Sequence, residues 1–229
     1  IVTSPTICSG SSTVLSATCV SGSPKWYSNN SLTVALPSTT VSPSTTTSYF
    51  ATCEIISLNC KSPSTSSLVS VNPVPSANAI SNQFLCKGSN TSSITFTGAV
   101  AGTVYNWTNS NAGIGLASSG SGDIPSFSVE NNGNSPIVGT ITVTPSFTLN
   151  GVVCNGVPIS FTITVNPTPI IDNIANQIVC NGQNTTIAIS GASTSYNWSY
   201  NSTNIGLPAT GTLSSSGSNS SASTSFNAI

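Results

Sequence analysis

Two stretches of this chain are written twice. Val71-Asn72-Pro73-Val74-Pro75 through Asn90 matches Val165-Asn166-Pro167-Thr168-Pro169 through Asn184 without a gap at an offset of 94, and ten of the twenty positions are identical. YNWTNSNAGIGLASSG, which starts at Tyr105, returns from Tyr196 as YNWSYNSTNIGLPATG, with seven identities in sixteen positions at an offset of 91. A solenoid repeat runs roughly 20 to 50 residues. The longer period here means that the repeating object is a domain. The 229 residues therefore divide into 1–73, 74–167 and a third copy, 168–229. The third copy has no counterpart of the TITVTPSF or FTITVNP segments of the second, so its remaining strands are expected beyond Ile229.

The fold class follows from how apolar residues are spaced. Ile94-Thr95-Phe96, Thr140-Ile141-Thr142-Val143 and Phe161-Thr162-Ile163-Thr164-Val165 alternate apolar with hydroxyl side chains. Such alternation puts one face of a strand in a core and the other in water. Helical spacing of apolar positions is not sustained anywhere, because Gly or Pro interrupts each candidate. The chain is all-β. In the second copy the pattern predicts strands near 80–86, 92–98, 103–109, 126–131, 138–149, 152–154 and 158–166, with Asn150-Gly151 as a tight hairpin turn. About seven short strands with a tryptophan on the third describe an immunoglobulin-like sandwich. Trp26, Trp107 and Trp198, with Tyr105 and Tyr196, are expected in the cores, and Gly115 and Gly120 in the turn after Trp107.

Seven cysteines are an odd number. Cys86 lies near the first strand of the second copy and Cys154 near its last, so they are expected to pair. The equivalent Cys180 then has its partner beyond residue 229. In residues 1–73, Cys8 precedes Gly10 as Cys86 precedes Gly88, and Cys60 lies late. A nested pattern, Cys8 with Cys60 and Cys19 with Cys53, is expected. Disulfides imply an oxidising compartment: periplasm, cell surface or medium.

An early C-x-G, a Y-x-W strand, I-G-L with a later Gly, T-I-T-V-T-P, a second C-x-G and a closing F-T-I-T-V-N-P-x-P together resemble the PKD-like repeats of Bacteroidota surface proteins. Residues 74–167 carry the whole pattern and 168–229 its first two thirds. Residues 1–73, with C-S-G, K-W-Y, T-T-T-S-Y and N-C-K-S, resemble the Ig-like modules that accompany such repeats. The resemblance implies a giant adhesin exported by type IX secretion, displayed as an outer-membrane-attached filament, with a structural role in adhesion and gliding motility. Its implied partners are the secretion and gliding machinery, neighbouring repeats, and extracellular surfaces or polysaccharide. Other PKD domains continue Y-x-W into an acidic D-F-G-D-G run. Here Trp107 and Trp198 are followed by Thr and Ser, so no calcium site is carried over.

Charge excludes several other roles. Lys25, Lys61 and Lys87 face only Glu54, Asp123, Glu130 and Asp172, and the chain has no His, Arg or Met. Three isolated lysines cannot neutralise a run of phosphates or an anionic membrane, so neither nucleic acid nor membrane insertion is expected. Acid–base or nucleophilic catalysis needs a group poised near neutral pH. Without His or a C-x-x-C pair, no enzyme, metal or cofactor site is expected. The alternative is a carbohydrate-binding or accessory stalk module of a secreted enzyme, for which Tyr27, Trp26 and Tyr200 are the available stacking faces. The P-x-P junctions, Pro73 to Pro75 and Pro167 to Pro169, hold φ fixed between domains and favour an extended rod.

Overall fold

A computed structural model describes residues 1–191, 195–199, 210–214 and 222–227. Within them the chain is built from strands and two single-turn 3-10 segments, Ile56–Leu58 and Ala112–Ile114.

The first sheet collects β1 (Thr6–Cys8), β3 (Ser23–Tyr27), β5 (Thr47–Ile55) and β7 (Thr65–Asn72) in the order β1-β7-β5-β3, and β6 (Cys60–Lys61) extends β5. A facing layer is formed by β2 (Thr13–Val14) against β4 (Thr40–Val41). Ile7, Leu15, Trp26, Val41, Tyr49, Ala51 and Val69 fill the space between the layers.

The second sheet repeats this plan. Its order is β10-β9-β11-β13-β8, from β8 (Gln83–Cys86), β9 (Val104–Asn109), β10 (Ser119–Ser121), β11 (Ile137–Leu149) and β13 (Ile159–Asn166); β12 (Val152–Asn155) extends β11. In both sheets the first strand runs parallel to the last and the other pairs are antiparallel. This is the arrangement of an immunoglobulin-like sandwich. Ile141 and Val143 of β11, with Phe161, Ile163 and Val165 of β13, present their alternate side chains to a core that also holds Trp107, Ile114, Ile124 and Val129.

Two predicted strands of the second unit are less regular than their pattern suggests. The segments 90–94 and 124–128 meet through single bridges, Ile94 with Ile124 and Asn90 with Ser128. Pro125 lies between them and has no N–H to give to a ladder. β10 carries no apolar residue and was not expected.

Side-chain amides of the Asn-Gln pair hold the incoming segment in place, and the contact of the Gln recurs in both copies. Asn82 Oδ1 accepts from Thr162 N at 2.8 Å, and Gln83 bonds both backbone groups of Ser92. Gln177, at the position equivalent to Gln83, likewise reaches Thr186 O. The pair ties the incoming segment to both layers.

In the third copy β14 (Asn184–Ile189) pairs with β17 (Ala222–Asn227), and β15 (Ser195–Ser199) with β16 (Thr210–Ser214).

Candidate functional site

The feature that joins the first two units is built on a turn that occurs three times. In Cys8-Ser9-Gly10-Ser11 the N–H of Ser11 returns to Cys8 O at 2.9 Å, with Gly10 at φ +83°. Cys86 to Ser89 and Cys180 to Gln183 close the same way at 3.0 and 3.1 Å, with Gly88 at +82° and Gly182 at +83°. The C-x-G motif is thus a tight turn that needs a left-handed residue at its third position. It places Cys8 at the downstream end of β1 and Cys86 at the downstream end of β8.

Across from Cys8, on β7, stands Asn72. Its side chain is 1% exposed, and its Nδ2 donates to Leu149 O at 2.8 Å and to Val152 O at 3.4 Å. Leu149 and Val152 flank the hairpin turn between β11 and β12. Asn150 and Gly151 form that turn with φ of +52° and +75°, the pairing that suits a two-residue hairpin. On β12 the hairpin carries Cys154, which is bonded to Cys8 with a Cα–Cα distance of 5.6 Å. A hairpin of the second unit is therefore seated on the downstream end of the first, held by one covalent bond and one buried amide.

This corrects two expected pairings. Cys86 faces Asn166, one residue past the Val165–Ile137 pair, while Cys154 faces Phe147, four residues past the Val143–Ile159 pair. The two cysteines lie some eleven strand residues apart, roughly 35 Å at the usual rise. They cannot bond. Cys8, level with Asn72, is separated by a similar span from Cys60, which faces Ile55. In both units the cause is the parallel first strand, which carries its cysteine to the end opposite the hairpin. Cys19 is bonded to Cys53, whereas Cys60, Cys86 and Cys180 are exposed thiols.

The upstream end of the first unit gathers three of the chain's seven charges. Glu54 accepts from Tyr27 Oη at 2.6 Å and from Thr52 Oγ1 at 3.1 Å, and pairs with Lys61 at 3.1 Å and Lys25 at 3.5 Å. The Tyr27 hydroxyl, more than the lysines, holds the Glu54 carboxyl down to about 2, and the same hydroxyl and Glu54 raise Lys61. Lys61 Nζ also lies 4.8 Å from the centre of the Tyr27 ring. Every group in this cluster is partnered, and the carboxylate stays ionised at neutral pH, so it is unsuited to move a proton there.

The remaining singled-out residues are placed as follows. Trp26, Trp107, Tyr105 and Tyr196 are buried, and Trp198 is half-buried. Trp26 and Tyr27 are each 3% exposed and offer no stacking face, which corrects that expectation. Tyr200 lies outside the described residues. Trp107 Nε1 donates to Gly122 O at 3.1 Å, while the Trp198 indole N–H has no acceptor among the described residues. Asp123 accepts from Phe96 N at 2.9 Å. Among the described residues no group of three or more Cys, Asp or Glu is placed to hold a metal ion, and no helix is long and apolar enough to cross a membrane.

No protein-family model matches the chain, and no curated protein matches it by sequence. Among solved structures, the N-terminal eight Ig domains of Down Syndrome Cell Adhesion Molecule are similar over 100% of this chain and 38% of that one, at 14% identity and a TM-score of 0.38. Sidekick-1 immunoglobulin domains 1–5 are similar over 99% of this chain and 53% of that one, at 11% identity and 0.36. The I9–I11 tandem from titin is similar over 100% and 88%, at 11% identity and 0.32. The chain spans about two fifths of the first of these and about half of the second.

Proposed function

We propose that this chain is a repeat segment of a large cell-surface adhesin filament, with a structural role in surface adhesion and gliding motility. The observation that carries the reading is the Cys8–Cys154 bond, which joins successive sandwiches rather than stapling one of them. A covalent clamp between units transmits load along a chain and limits bending at the junction. The surface suits the same role, because Ser, Thr and Asn hydrate well with almost no net charge to attract counterions or nucleic acid.

On this reading the units are residues 1–73, 74–167 and 168–229, the protein is exported by type IX secretion in a Bacteroidota cell, and it works outside the cell, where its disulfides persist. Its partners are the secretion and gliding machinery, neighbouring repeats, and the extracellular surface or polysaccharide it meets. The sandwich supplies spacing and stiffness, with no catalytic step. Small-angle scattering of the oxidised chain tests this: an elongated particle is expected, and a compact one overturns the filament role.

A further inference from the structure

The socket that seats the β11–β12 hairpin occurs a second time in the chain. Cys86 faces Asn166 across β8 and β13 as Cys8 faces Asn72 across β1 and β7. Lys87 N bonds Asn166 O at 2.9 Å, as Ser9 N bonds Asn72 O at 2.9 Å, and the C-x-G turns that follow superpose in their hydrogen bond and in the φ of their glycine. Only occupancy differs. Asn72 is buried against a hairpin and Cys8 is bonded to it, whereas Asn166 and Cys86 are both exposed.

We propose that Cys86 and Asn166 form a second hairpin socket, taking from another repeat of this kind a β-hairpin with an Asn-Gly turn and a cysteine three residues after its glycine. The asparagine amide binds the two carbonyls that flank the turn, and the cysteines bond. Cys180 carries the same turn one repeat further on, so the chain offers a ladder of inter-repeat disulfides. This rests on the repeat-segment reading above. When a rung forms, two thiols lose two protons and two electrons, and the disulfide of a thiol oxidoreductase accepts them and becomes a dithiol.

A synthetic peptide of residues 146–155, with its cysteine activated as the mixed disulfide with 5-thio-2-nitrobenzoate, tests the socket on the whole chain. Attack by a protein thiolate forms the protein–peptide disulfide and releases one coloured aryl thiolate. Peptide mapping then reports which cysteine reacted. Cys86 should react about tenfold faster than Cys60, the factor that one well-made hydrogen bond supplies. Asn166→Ala should abolish that preference, and so should replacing Asn-Gly in the peptide by Ala-Ala. Equal labelling of Cys86 and Cys60, or a preference that survives Asn166→Ala, overturns the proposal.

Because a free hairpin is only marginally stable, non-reducing peptide mapping of the protein taken from its cell surface gives a second reading. Cys86 should be found joined to a cysteine three residues after an Asn-Gly; a free Cys86, or one joined elsewhere, overturns the socket. An elongated particle without this linkage would leave the filament role standing and remove only the ladder.

Discussion

Gly120 lies directly across from Trp107 in the β9–β10 ladder, and a Cβ on it would run into the indole ring. Gly211 stands to Trp198 in the same way. The last glycine of the repeated YNW stretch is therefore set by its tryptophan: the chain must return over the ring with no side chain of its own. Gly115, at φ +91°, is the glycine that shapes the turn between them. Gly120→Ala should displace the indole and cost about 1–3 kcal/mol in the second unit, the usual penalty for overpacking. A red shift of tryptophan emission and a lower denaturation midpoint would register it. An unchanged midpoint would mean that the ring does not pack over this glycine.

The disulfide assignment is open to a simple digest. Trypsin has only Lys25, Lys61 and Lys87 to cut after, which yields residues 1–25, 26–61, 62–87 and 88–229. With Cys8 bonded to Cys154 and Cys19 to Cys53, a non-reduced digest of the isolated 229-residue chain, unfolded and with no other repeat present to occupy Cys86, should keep 1–25, 26–61 and 88–229 together and release 62–87 with a free thiol on Cys86. Pairing of Cys86 with Cys154 would instead leave 62–87 attached to 88–229. Mass spectrometry before and after reduction separates the two outcomes.

Much of the frame is legible in the residues, because alternation reports burial directly. Ile141, Val143, Phe161, Ile163 and Val165 are all core residues of the strands that their spacing predicts. The direction of the first strand is not legible, since a short strand such as Gln83–Cys86 reads the same parallel or antiparallel. That one ambiguity sent Cys86 to the wrong end of its unit and hid the junction. β10 was missed for another reason: Ser119-Gly120-Ser121 has no apolar pattern, and it is a strand because Trp107 needs a flat, bare neighbour. Trp26 and Tyr27 misled in a third way. Consecutive aromatics on a strand normally point to opposite faces, yet Tyr27 is covered by the charged groups that its hydroxyl organises.

The Glu54 cluster predicts how the first unit responds to acid. A carboxyl held at about 2 in the folded state, against an ordinary value near 4.3, contributes stability that is complete above about pH 5 and is lost as pH falls toward 2. Denaturant unfolding of the first unit should weaken across that window. Tyr27→Phe removes the largest cause of the depression, so Glu54 should titrate at higher pH and acid weakening should begin earlier. Carbon-13 NMR of the Glu54 carboxyl follows both; an unchanged titration in Tyr27→Phe would show that the lysines alone set it.

Asn72 and Cys8 act on one hairpin, so their contributions should be coupled. The amide of Asn72 meets Leu149 O and Val152 O in a buried site, and its loss in Asn72→Ala leaves both carbonyls without that donor. A cost of about 1–2 kcal/mol is expected while the Cys8–Cys154 bond holds the hairpin in place. In a Cys8→Ser background the hairpin is free to lift and its carbonyls to reach water, so the same substitution should cost much less. Denaturation of the wild type, both single variants and the double variant measures the difference. Costs that add to within about 0.3 kcal/mol would mean that amide and disulfide hold the junction independently. A clear shortfall in the double variant would mean that the disulfide makes the amide bond effective, which is how a clamp that resists bending should work.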